Sequence, residues 1–158
     1  MNKNNLISSV IKELTSQLSE LKSSYQSARQ ASNEAPGAMQ SHSDTTKFQM
    51  DQIARNIEKD IKDKERAVVE IKNLLDKPSL LKTSRTAGFG SLVFAEINRK
   101  KNHFFILPGG SGIHIKPDIL VVSPPAPVAI ALMGKTAGEA FDVSLPAGMT
   151  SIKIIDIE

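Results

Sequence analysis

Residues Ser32–Thr46 read S-N-E-A-P-G-A-M-Q-S-H-S-D-T-T and interrupt two long runs of helical periodicity. Pro36 cannot continue a helix and Gly37 relaxes one, so the chain turns at this Pro-Gly pair. Glu34 and Asp44 flank the turn, with His42 between them. Helices pairing antiparallel on either side would make the turn the exposed tip of a long finger.

Before the turn, Leu6, Val10, Leu14, Leu18, Leu21, Tyr25 and Ala28 are spaced by fours and threes, which draws one stripe on one helical face. The stripe thins toward the turn, where Ala28 and Ala31 would let two backbones approach. After the turn, Ile57, Ile61, Lys64, Val68, Ile71 and Leu75 form a heptad seam with one lysine in it. Phe48 and Ile53 are expected to extend that seam toward the tip. The mixed-sign run Glu58–Arg66 suits a solvated outer face. Ser43 or Asp44 is placed to cap the second helix, and Lys77-Pro78 ends it. Each helix would span roughly 45 Å. No third long helix follows, so a projecting antiparallel coiled coil is expected over a three- or four-helix bundle.

Beyond Pro78 the texture changes to short β-branched and aromatic runs broken by Gly and Pro. Strands are expected at 89–97, 103–107, 119–122, 139–143 and 151–157, with one short helix over 126–133 behind Pro124-Pro125. The expected class is α+β: residues 1–77 as a coiled-coil hairpin with its tip at about 34–44, and residues 78–158 as a small antiparallel β-sheet domain. The cluster Pro108-Gly109-Gly110-Ser111-Gly112 reads as a connection, with phosphate cradling as the sharper alternative. Gly134-Lys135-Thr136 resembles the end of a phosphate-binding loop, but Ala129 stands where that loop needs glycine. His103 and His114 have no partners at metal-ligand spacing.

The 158 residues carry 40% hydrophobic content, enough for a core, and no cysteine, which removes disulfides and thiolate chemistry. Six Phe, one Tyr and no Trp argue against an aromatic nucleic-acid platform. The net charge is +3, and neither half is basic enough to imply duplex binding by its overall charge. The N-terminus has no apolar run suited to a signal peptide or membrane helix, so a cytoplasmic, membrane-free protein is expected, and a monomer because the coil seam is satisfied within one chain.

The stretch Val121–Gly148, V-V-S-P-P-A-P-V-A-I-A-L-M-G-K-T-A-G-E-A-F-D-V-S-L-P-A-G, resembles the C-terminal domain of the bacterial Gre transcript-cleavage factors. The resemblance is carried by Ser123-Pro124, Pro127, Ala131-Leu132-Met133-Gly134-Lys135, Gly138-Glu139 and Pro146-Ala147-Gly148. Glu139 stands where the family usually has Asp. The resemblance implies a globular half similar in fold to FK506-binding-protein domains. That half would dock at the rim of the RNA polymerase secondary channel through Ser123, Pro124, Pro125, Ala126, Pro127, Gly134 and Lys135, while the coil enters the channel. It further implies that tip carboxylates help hold Mg²⁺ supplied in the polymerase active site, so that the polymerase hydrolyses backtracked RNA; the chain needs no cofactor of its own and is not itself an enzyme.

The tip departs from the family pattern, roughly G-D-x-S-E-N-A-E-Y. Asp44 and Glu34 are the candidate carboxylates, with Asp44 the shared metal support; capping of the second helix fits Asp44 equally well. Arg29 and Lys47 are the candidate contacts to the nascent RNA 3′ end. Occupation of the channel without cleavage is the alternative, and a prolyl-isomerase or chaperone-like module, by fold analogy alone, a remote one.

Overall fold

The computed structural model describes residues 2–34, 43–81, 85–115, 118–146 and 148–158, and of residues 43–45, 78 and 80 the backbone alone. Two long helices, α1 (Lys3–Glu34) and α2 (Ser43–Leu75), come first. A short 3-10 helix, Pro78–Leu81, follows at Pro78. Then come β1 (Leu92–Ile97), β2 (Lys100–Ile106), β3 (His114–Ile115), β4 (Ile119–Val122), α3 (Pro127–Leu132), β5 (Ala140–Leu145) and β6 (Gly148–Ile157). No helix among the described residues is long and apolar enough to cross a membrane.

By contacts the chain forms two compact units, Met1–Glu13 with Ala67–Glu158, and Leu14–Arg66. In the second unit the two helices run antiparallel. Lys64 Nζ donates to Gln17 Oε1 at 2.7 Å, Lys22 Nζ lies 2.8 Å from Glu65 Oε1, and Ser32 Oγ donates to Asp51 Oδ1 at 2.7 Å. The expected stripe on α1 is the buried one, running through Leu14 and Ala28 and ending on Ser32. On α2 the seam passes through Ala54, 1% exposed, whereas Phe48 and Ile53 are 64% and 43% exposed. The expected extension through Phe48 and Ile53 is therefore corrected: continuing the steps of three and four back from Ile57 leads to Ala54, and the two larger residues fall on other faces.

The first unit is built on a six-stranded sheet in the order β3-β4-β2-β1-β6-β5. It is mixed rather than wholly antiparallel, because β2 and β4 pair in parallel, His103 against Ile119 through Ile106 against Val122. The chain crosses from β2 to β4 through the 107–113 connection and the two-residue β3, which has no period a sequence could show. Strand alternation sends Val93, Ala95, Phe104, Ile106, Val122, Ile152 and Ile154 into one core, closed by Ala129 and Leu132 of α3. Leu92, Phe105, Leu107, Ile119 and Val121, at the intervening positions, are buried as well, as are Leu6, Ile7, Val10, Ile71 and Leu74 of the same unit. A sheet apolar on both faces is what the near-continuous run Ile119-Leu120-Val121-Val122 requires.

Gly109 explains the glycine turn. A Cβ there would overlap the Cβ of Ala67 on α2 and lie 3.0 Å from its Cα. Gly109 is required by this close approach to α2, whereas Gly110 and Gly112 adopt positive φ, 79 and 88.

Candidate functional site

Residues 123–135, the first part of the family motif, run as loop, helix and turn. Ser123 follows β4 directly and is 5% exposed. The Pro124-Pro125 peptide is cis, and Ala126 N–H donates to Ser123 O at 2.9 Å, closing the loop. Pro127 opens α3 at a first-turn position where its missing N–H is no loss. Ala129 and Leu132 point into the core, and Ile130 projects outward, 59% exposed. Pro125 and Pro127 are exposed beside it. The expected contact residues thus divide. Ser123 holds the loop from inside, Pro124 and Ala126 are half-buried, and Pro125, Pro127 and Gly134 face solvent. Ile130, which the motif leaves open, is the large apolar side chain that α3 exposes; its place on the face opposite Ala129 and Leu132 was the available signal.

The turn after α3 is a clamp. Gly134 adopts φ +80, a conformation that favours glycine, and its N–H donates to Ala87 O at 2.9 Å. Ala87 N–H returns a bond to Lys135 O at 2.8 Å, and Thr86 bridges Thr136. The Gly-Lys-Thr backbone is therefore spent on the segment entering the sheet rather than on a phosphate. Glu139 Oε1 accepts from both Thr136 N–H and Thr136 Oγ1 at 2.8 Å, and Oε2 lies 3.2 Å from Lys135 Nζ. These bonds hold the Glu139 carboxyl below its ordinary range, the Thr136 hydroxyl first among the causes. Lys135 also sits 4.8 Å from the centre of the Phe141 ring.

At the other candidate site, the turn with His42 and the side chain of Asp44 lie outside the described residues; the backbone of Asp44 is in the first turn of α2. Glu34 ends α1, exposed, and accepts from Gln30 Nε2 at 2.7 Å. Lys47 is exposed on α2. Arg29 is engaged: Nε donates to Tyr25 Oη at 3.1 Å, the guanidinium lies over the Tyr25 ring, and Nη1 is 3.6 Å from Asp51 Oδ1. The hydrogen bond to Tyr25 is the first cause raising its pKa. Asp51, which sequence reasoning passed over, is the acid that α2 brings to Ser32 and Arg29. Among the described residues no three His, Cys, Asp or Glu side chains form a metal-binding group. His103 Nδ1 pairs with Asp118 Oδ2 at 3.0 Å and meets the Phe94 ring edge-on.

Comparison with known proteins adds the following. Residues 83–158 match the family model for the transcription elongation factor GreA/GreB C-terminal domain. No curated protein matches the sequence. Similar solved structures include GreA factor homolog 1 of Thermus thermophilus, 18% identical over 94% of each chain with a TM-score of 0.40. The Gfh1 protein of Thermus aquaticus is 20% identical over 93% of this chain and 92% of its own, with a TM-score of 0.41. The GreA/GreB elongation factor of Nitrosomonas europaea is 17% identical over 46% of this chain and 60% of its own, with a TM-score of 0.36. Residues 83–158 therefore carry the C-terminal domain of the GreA/GreB transcription elongation factors.

Proposed function

We propose that this chain is an RNA polymerase-binding elongation factor. The globular half docks at the secondary-channel rim through the loop–helix–turn of 123–135, and the α1–α2 hairpin enters the channel. The observation that carries the reading is the surface just described: a buried, internally bonded Ser123 supports Pro125, Pro127 and Ile130 as an exposed apolar face of the kind that anchors a partner. At the hairpin tip, Asp44 with Glu34 supports a Mg²⁺ ion held in the polymerase active site near the RNA 3′ end, and the polymerase cleaves backtracked RNA. Mg²⁺ takes one or two carboxylates besides water and phosphate oxygens, and a second ion stabilises the attacking and leaving oxygens.

One observation favours a second reading, channel occupancy without cleavage. Glu34 and Asp51, the acids described nearest the tip, already accept hydrogen bonds from Gln30 and Ser32, which leaves Asp44 as the main tip carboxylate to offer.

Binding to the cognate polymerase is measured first, with wild type and Ile130→Asp. Loss of binding in the variant is expected, and absence of wild-type binding overturns the proposal. A stalled, backtracked complex with labelled RNA and Mg²⁺ then decides the chemistry. Short 3′ fragments released by wild type and lost with Asp44→Ala establish cleavage support. Intact binding without fragments establishes the second reading.

A further inference from the structure

At the tip of the β1–β2 hairpin cations outnumber acids. Arg99, Lys100 and Lys101 are consecutive and exposed. Lys153 of β6 joins them, because Glu96 pairs in register with both Lys101 and Lys153. Four of the seven basic residues between 83 and 158 thus sit at one end of the sheet. Among the described residues none of the four forms an ion pair, unlike Lys135 of the same unit, which is paired to Glu139. Glu96 and Asp142, opposite Ser151, are the acids of that region.

The presentation is rigid. Ile97 pairs with Lys100, so the loop is Asn98-Arg99 alone, and both residues have positive φ, 51 and 67. A two-residue hairpin turn of this hand favours Asn then Gly. Asn98 fits, and its N–H donates to Ser151 O at 3.2 Å. At the second position the chain carries arginine in a conformation that glycine would adopt without strain. A groove of about 570 Å³ runs beside the turn, lined by Glu96, Asn98, Arg99, Ala140, Ser151 and Lys153.

We infer that this hairpin tip is a contact for the phosphate backbone of duplex DNA, separate from the loop–helix–turn proposed to meet polymerase. Three features select that partner. The groove has no large apolar side chain to anchor a protein interface, whose buried core is depleted of lysine. It has no aromatic ring to stack the bases of a single strand. Clustered Lys and Arg on a rigid ribbon match evenly spaced phosphates without reading sequence. The near-neutral total of residues 83–158 hides the cluster.

The test measures binding of the full chain to a short labelled duplex of mixed sequence across about 50 to 200 mM salt. The hairpin variant is Arg99→Asn with Lys100→Gln and Lys101→Gln, asparagine being chosen because it tolerates positive φ. The control removes three exposed cations from the helices, Lys12→Gln, Arg55→Gln and Lys72→Gln. The hairpin variant is expected to bind roughly tenfold or more weaker, with a salt slope shallower by about 2 to 3, and the control to bind as wild type. Unchanged binding in the hairpin variant, equal loss in the control, or tighter binding to single strands or polyglutamate than to duplex would each overturn the inference. Polymerase binding, read separately, does not bear on the result.

Discussion

Ser32 Oγ donates a 2.7 Å hydrogen bond to Asp51 Oδ1, tying α1 to α2 at the tip end of the hairpin. Ser32 is only 2% exposed, and Arg29 Nη1 approaches the same carboxylate oxygen at 3.6 Å. The serine therefore ends the apolar stripe of α1 with a polar group whose partner is charged. Such bonds contribute more than neutral ones, but the Asp51 side chain is 32% exposed and regains water once the donor is gone. Ser32→Ala is expected to cost about 1 kcal/mol. Chemical denaturation with an unchanged midpoint would show that the bond holds nothing.

Gly109 predicts a second, larger effect. It is buried, and its φ is not among the positive ones, so alanine would meet no backbone penalty there, only Ala67. Gly109→Ala should destabilise by about 1–3 kcal/mol through overpacking. Ala67→Gly would cost about 1 kcal/mol of helix propensity by itself, yet it removes the obstructing Cβ. The double variant should therefore be more stable than the sum of the two singles predicts, by at least about 0.5 kcal/mol in a double-mutant cycle. Additive losses would mean the contact is not what constrains Gly109.

The helices were legible because spacing alone fixes a face, and the stripe from Leu6 to Ala28 lies where its fours and threes put it. Phe48 and Ile53 are the more apolar residues, but Ala54, with the smaller side chain, has the right phase. The motif around Ser123 and Gly134 was legible, whereas its backbone partners Thr86 and Ala87 were not, since hydrogen bonds between distant segments leave no periodic trace. The parallel pairing of β2 with β4 was hidden for the same reason. Arg99 escaped notice because hairpin turns are sought through glycine.

Lys64 occupies a seam position that an apolar residue would ordinarily fill, and its Nζ donates to Gln17 across the hairpin. A polar residue in a seam fixes register at a cost in stability. Lys64→Leu is expected to raise stability by about 1 kcal/mol, because the site is only half-buried, and to raise Tm by about 3 °C. A fall in Tm would mean that the Lys64–Gln17 bond stabilises the hairpin more than apolar packing could.

Glu139 gives a pH prediction whose sign follows from its surroundings. Bonds from Thr136 and Lys135 favour the carboxylate, so its folded pKa lies below the ordinary glutamate value. Around pH 4.5 and below, the unfolded chain then binds the proton more readily than the folded one, and folding stability falls as pH falls through the folded pKa. The contribution is present above that window and disappears beneath it. Glu139→Gln has no such titration and keeps an oxygen to accept from Thr136. The variant should be less stable than wild type at pH 7, and the gap should narrow between about pH 5 and 3. Parallel stability curves for the two proteins across that window would show that the Glu139 carboxylate is not coupled to folding. Its effect should be local, too: amide exchange at Ala87 and Gly134, the two donors of the clamp, is expected to quicken in the variant at pH 7, while exchange in β1 and β2 is unchanged.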